Sequence, residues 1–150
     1  MTLQMPEIEA AIHEISDFFT DWVGGRCPGD ADTFKRNALD RLADGLVVIM
    51  PGGRSFGKKD FEGYMKSIYG SNPDFRIKIR DVRLSHRSGD VSVVNYDEWQ
   101  RSAKDSAEPN NGRVSTMVVR DRGQGAGPEI LQVHETCLPK EIVAAGDFDF

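Results

Sequence analysis

The apolar positions of this chain keep a helical period first and a strand period later. Over residues 6–23, Ile8, Ile12, Ile15, Phe19 and Trp22 recur at spacings of three and four, with Phe18 widening the stripe. That spacing predicts an amphipathic helix. Pro6 suits its first turn, Glu7 and Glu9 complement the positive end of its dipole, and Gly24-Gly25 stops it. After a loop, Asp30 or Asp32 caps a second helix predicted over 31–43, whose buried face is Phe34, Ala38, Leu39 and Leu42. The continuous apolar run LVVIM at 46–50 predicts a short buried strand, and Pro51-Gly52-Gly53 turns the chain. A third helix falls within 55–69, with Phe61, Tyr64, Met65 and Ile68 on one side.

From Asp74 the period becomes two. Phe75, Ile77 and Ile79 alternate with Arg76, Lys78 and Arg80, and then Val82, Leu84 and His86 continue on the opposite parity. Such a phase slip predicts a bulge near Arg80-Asp81. After the turn at Ser88-Gly89-Asp90 comes VSVVNYDEWQR. Val91, Val93, Asn95, Asp97 and Trp99 point one way; Ser92, Val94, Tyr96, Glu98 and Gln100 point the other. Both faces start apolar and end polar or aromatic, so this strand is expected to be covered on both sides. Two more strands are predicted over 113–122 and 129–138, joined by the glycine-rich GQGAGP loop. Beyond Pro139, Phe148 and Phe150 either cover a sheet edge or fray. Helices followed by a run of strands define an α+β class, and 150 residues suit one domain, 1–150.

Composition narrows the function classes. The net charge of −5, from 19 basic and 24 acidic residues with no dense Lys/Arg tract, argues against nucleic acid as a partner. No apolar run approaches membrane-spanning length, so no membrane partner is expected. Cys27 and Cys137 form no CxxC, and the acidic, amphipathic start lacks the form of a secretory signal. The expected location is therefore cytoplasmic. GGRSFGKK does not supply a phosphate loop, and His13, His86 and His134 lack metal-ligand spacing. No metal and no cofactor are expected.

Several strings resemble the nuclear-transport-factor-2-like (NTF2-like) superfamily, which includes ketosteroid-isomerase-like and SnoaL-like proteins. They are the first helix with Phe19 and Trp22, LVVIMPGG with the Gly57-led helix after it, the Gly89-Asp90 turn into VSVVNYDEW, and ILQVHETCLP. The resemblance covers about residues 7–139. It implies a cone: three N-terminal helices packed on a strongly curved, mainly antiparallel sheet, with a pocket inside and an outer face that often pairs with another subunit. Its scaffold hosts unrelated activities, so it implies no reaction. The ketosteroid isomerase trio of one tyrosine and two aspartates has no match here, since the first helix carries Phe18, Phe19 and Trp22 and no tyrosine.

By this resemblance, positions such as Asp97, Met117 and Cys137 line the cone, which places the odd-numbered residues of all three long strands inside. Asp97 and Glu135 are then the candidate catalytic carboxyls, and Phe19, Trp22, Tyr64, Asn95, Trp99, Met117 and Cys137 the candidate ligand-binding residues. Two enclosed carboxyls with separated pKa values fit cofactor-free isomerase, cyclase or dehydratase chemistry on a small apolar or aromatic molecule. The competing reading is structural, with both carboxyls merely bonded to Asn95, Ser115 or arginines. The opposite parity would make Tyr96, Glu98 and His134 the chemical set. A further alternative is a non-catalytic homodimer or interaction module using the outer face, with Tyr96, Thr116 and His134.

Overall fold

A computed structural model describes residues 4–150. In chain order it contains α1 (Met5–Gly24), α2 (Ala31–Asn37), a 3-10 turn (Leu39–Arg41), β1 (Leu42–Ile49), β2 (Ser55–Gly57), α3 (Lys58–Ser67), β3 (Arg76–Ser88), β4 (Val91–Arg101), β5 (Asn111–Asp121), β6 (Pro128–Cys137) and α4 (Lys140–Ala144). The six strands form one sheet in the order β2-β1-β6-β5-β4-β3. Every pairing is antiparallel except β1 with β6. The α+β class and the helices packed on a curved sheet are as the sequence predicts. Among the described residues no helix is long and apolar enough to cross a membrane.

Helix α1 lays Ile8, Ile12 and Ile15 on the inner face of the sheet, against Val94, Met117 and Ile130. Its C-terminal half turns Trp22 into a second cluster with Phe34, Ala38 and Met65, where the indole N–H donates to the Met65 carbonyl at 2.7 Å. That bond ties α1 to α3 and satisfies the one polar atom of a ring that is 1% exposed. A backbone seam lies beside it. Gly70 and Asn72 donate to the Trp22 and Val23 carbonyls, both at 3.0 Å. A Cβ on Gly25 would stand 3.2 Å from the Gly70 Cα, and both glycines have positive φ, +71° and +65°. Only glycine holds that conformation without strain at such an approach.

Helix α2 is shorter than expected: the predicted 31–43 ends at Asn37, and Leu42 and Ala43 begin β1. Asp30 caps it as foreseen, accepting from the Thr33 N–H at 2.7 Å. Ala38 then leaves helical space at φ −124°, and Leu42 pairs with Ile130. Pairing and burial of Leu42 outweigh its helical spacing, the usual way tertiary context overrides local pattern.

The predicted bulge is present. Arg80 pairs with Asp97 and Arg83 with Asn95, so Asp81 and Val82 face Tyr96 alone, with Asp81 at φ +57°. The extra residue restores phase: Ile77 and Ile79 before it and Val82 after it all pack toward the core.

The C-terminal segment covers the outer face rather than an edge. Phe148 meets Trp99 edge-on with centroids 5.5 Å apart. The Arg80 guanidinium lies 5.2 Å from the Trp99 ring centre and 5.7 Å from that of Phe150, a cation–π arrangement.

Candidate functional site

A cavity of about 240 Å³ lies between the helices and the inner face of the sheet. At one end its walls are the buried Ile12, Leu42, Met117 and Ile130. At the other they are Tyr64, Ser71, Lys104 and Asp105, all exposed. The first end is closed and the second is the mouth, beside the segment joining β4 to β5. Phe19, Phe61, Met65 and Phe75 extend the apolar wall.

Register decides which strand residues face inward, because residues directly opposite across a pair share a face. Val94 pairs with Met117, Tyr96 with Ser115 and Glu98 with Arg113; Ser115 pairs with Glu135 and Met117 with Val133. The inner set is therefore even-numbered on β4 and odd-numbered on β5. On β6 a register shift beside Val118/Val119 brings both Ile130 and Val133 inside. A single parity for all three strands, as expected from the sequence, does not hold.

Toward the mouth this arrangement gathers Glu98 and Gln100 from β4, Arg113 from β5 and Glu135 from β6. They form one chain of hydrogen bonds. Arg113 Nη1 donates to Glu135 Oε2 at 2.7 Å, and Arg113 Nη2 to Gln100 Oε1 at 3.3 Å. The Gln100 amide donates in turn to Glu98 Oε2 at 2.7 Å. Asn111 joins by accepting from Arg113 Nη2 at 3.3 Å and donating to the Glu108 carbonyl at 2.9 Å. Arg113 Nε and Ser115 Oγ, both sealed from solvent, have no hydrogen-bond partner among the described residues.

Two carboxyls share one guanidinium here, and the charge balance shows in the ionisation. Glu98 is pushed up to about 7, first by burial and then by the charge of Glu135, against the smaller opposing pulls of Arg113 and the Gln100 amide. Its remaining accessible surface lies on the cavity wall. Burial works against the Arg113 charge, but Glu135 and Glu98 outweigh it, and its pKa moves further up. Burial, and then the charges of Glu98 and Glu135, push the Tyr96 phenol well above its ordinary range. Tyr96 remains a hydroxyl. Ser115 lies close enough to it to oppose that rise slightly, but its Oγ makes no well-formed bond.

The expected site residues divide. Glu135, Phe19, Tyr64 and Met117 line the cavity, Tyr64 at its mouth with 50% exposure. Asp97 does not: it lies on the outer face, 3.9 Å from Arg83. Asn95 is also outside, donating to Thr116 Oγ1 at 2.7 Å and accepting from Ser85. Trp99 is buried on the outer face beneath Phe148, and Trp22 is locked in the α1–α3 cluster. Cys137 is exposed at the end of β6, outside the cavity lining. Of the opposite-parity set, Tyr96 and Glu98 face inward and His134, paired with Thr116, faces outward. Tyr96 accordingly leaves the outer-face set, in which Thr116 and His134 remain. Arg113 and Gln100 were missed; each polar residue sits at an inward position of a strand, but their partnership depends on a register the sequence does not print.

A helical layer over a bent six-stranded sheet that encloses a cavity is the architecture of NTF2-like proteins, and solved structures bear this out. The chain is similar to an NTF2-like protein of unknown function from Pseudomonas aeruginosa, with 23% identity and a TM-score of 0.76 over 89% of this chain and 99% of that one. It also resembles a protein of the NTF2-like family from Streptomyces avermitilis, provisionally assigned as a dehydratase (17% identity, TM-score 0.63, 90% and 96% covered). The beta subunit of benzoate 1,2-dioxygenase from Burkholderia mallei is a third (16%, 0.67, 99% and 97%). No protein-family model matches the sequence, and no curated protein does. The likeness establishes the NTF2-like fold. These three neighbours are a protein of unknown function, an enzyme assignment and an enzyme subunit, so the fold leaves both a pocket role and an assembly role open.

Proposed function

We propose that this protein binds a small apolar or aromatic molecule in the cavity and acts on it, without a cofactor, by acid–base chemistry of the isomerase, cyclase or dehydratase kind. The observation that carries this is Glu98, a carboxyl with no cation of its own on the wall of an apolar cavity beside a buried Arg–Glu pair. Such a carboxyl exchanges a proton near neutral pH, the property a general acid or base needs. Tyr96, two residues before it on the same face, remains a donor and can hold an oxygen of the substrate. Glu135 keeps its place in the site, now as the partner of Arg113 that holds the guanidinium in line with Gln100. An engineered apolar cavity of roughly 150 Å³ admits benzene, so about 240 Å³ accepts a larger, one- or two-ring molecule. The provisional dehydratase assignment of the Streptomyces avermitilis protein agrees with this reading.

The test is a binding screen of neutral one- and two-ring compounds by protein NMR, repeated on Met117→Trp, which fills the closed end. Hits that shift inner-face signals and vanish in the variant support the reading. Hits unaffected by the filled cavity, or none at all, sink it.

A second reading rests on the outer face, where Val93, Val114 and Val118 remain half-buried in the isolated chain. Such a face suits a homodimer or another assembly partner. The benzoate dioxygenase beta subunit, itself part of a larger enzyme, supports it. Light scattering that finds a monomer at high concentration removes this reading.

A further inference from the structure

The cavity is sorted along its length. Val94, Met117 and Val133 lie at one level of the sheet and are all apolar. At the level of Glu98 and Arg113 the inner side chains of β4 and β5 are polar, while Ile79 of β3, opposite Glu98, keeps one side of that level apolar. Ile130, paired with Leu42, closes the apolar end. A molecule that enters through the mouth thus passes a collar that is polar along β4, β5 and β6 before its leading end reaches the apolar closed end.

The collar also has a charge preference. Among the lining residues, the cations are Arg113 and Lys104 and the carboxyls are Glu98, Asp105 and Glu135. Lys104 and Asp105 are neighbours at the exposed mouth, and Lys104 donates to the Ser71 carbonyl. Inside, both Arg113 Nη atoms are committed, to Glu135 and to Gln100 and Asn111. Glu98 Oε2 is held by Gln100. What the collar offers an incoming group is carboxyl oxygen, Glu98 Oε1 and Glu135 Oε1, and the Tyr96 hydroxyl. An anionic head would sit beside a carboxyl while both Nη atoms of the neighbouring Arg113 are already bound and the other lining cation, Lys104, stays out at the exposed mouth, and like charges repel strongly in an enclosed space. An ammonium could pair with Glu98, but stripping water from both ions costs about as much as the pairing returns. A hydroxyl or carbonyl is satisfied in either protonation state of Glu98, donating to it or accepting from it.

We propose that the ligand of this cavity is an uncharged amphiphile, seated apolar end first, with a single hydroxyl or carbonyl at Glu98 and Tyr96, and that the site rejects carboxylates. The proposal rests on the pocket reading given above and names its ligand class. The groups facing Glu98 are Tyr96 on its own strand, Arg113 on β5 and Glu135 on β6.

Three probes of one skeleton test it on the full chain: phenylpropanol, phenylpropionate and phenylpropylamine, titrated calorimetrically at about pH 6 and about pH 8. The alcohol is expected to bind more tightly than the carboxylate by about tenfold or more at the higher pH, with the gap narrowing at the lower. In Glu98→Gln, which keeps the shape and removes the charge, the alcohol should still bind and the gap should shrink to about threefold. A carboxylate that binds as tightly as the alcohol, or an amine that binds tightest, overturns the ligand class while leaving the pocket in place. A gap unchanged in Glu98→Gln overturns the role of Glu98. Binding by none of the three removes the pocket reading and this inference together.

Discussion

Asp97 and Glu98 are neighbours in sequence and opposites in situation. The pleat of β4 sends one outward and the other inward. Asp97 lies within 3.9 Å of Arg83 in reach of solvent; its carboxyl is pushed up by burial, pulled back by Arg83, and raised slightly by Asp81. Glu98 meets a cavity wall, a second carboxyl and an arginine already bound to that carboxyl. Both shifts have the same sign and the same first cause, but Glu98 also meets the charge of a second carboxyl on its own face and is pushed up to about 7. The difference teaches that acidity here is set by which face of one strand a residue occupies, and by whether a cation on that face is free to answer it.

Removing the inner cation should widen that contrast most. Arg113→Met would leave Glu135 and Glu98 enclosed with no guanidinium, and is expected to cost ~3–5 kcal/mol in urea unfolding at neutral pH. A cost near zero would mean water already reaches the collar. Glu98→Gln should act next and in the opposite direction. Below the free carboxyl's 4.5, Glu98 is protonated in both folded and unfolded chains and contributes no pH dependence. Between 4.5 and about 7 the unfolded chain ionises first, so stability falls as pH rises; above about 7 the loss is complete. The variant should therefore gain ~3 kcal/mol over the parent at alkaline pH and almost nothing at acidic pH. A parallel pH–stability curve for the two proteins would contradict the enclosed state of Glu98. Asp97→Asn is expected to change stability by less than ~1 kcal/mol and leave probe binding in the cavity unaltered. A large loss of binding in that variant would erase the distinction between the faces.

The residues explain why the fold could be read from the sequence more completely than the site. Period alone located α1, α3 and the long strands, and the parity change at Val82 located the bulge, because each is a local property. The end of α2 was misplaced because Leu42 keeps helical spacing while its pairing with Ile130 makes it a strand. The site failed for a related reason. Alternation divides each strand into two faces, but the match between faces of different strands is a register, and the long β4–β5 connection leaves it free. Asp97, Asn95 and Trp99 were placed inside and lie outside. Glu98 and Tyr96 occupy the inner face in their stead, while Met117 on β5 and Glu135, past the register shift of β6, line the cavity.

The crossing of Gly25 and Gly70 has a consequence for traffic. It fuses the end of α1 to the chain after α3, so Ser71 and Asn72 form a fixed jamb on one side of the entrance. The facing side is the β4–β5 connection, fastened to that jamb by two side chains, Asn72 to the Ser102 carbonyl and Lys104 to the Ser71 carbonyl. A guest wider than this doorway would have to break those two bonds to enter.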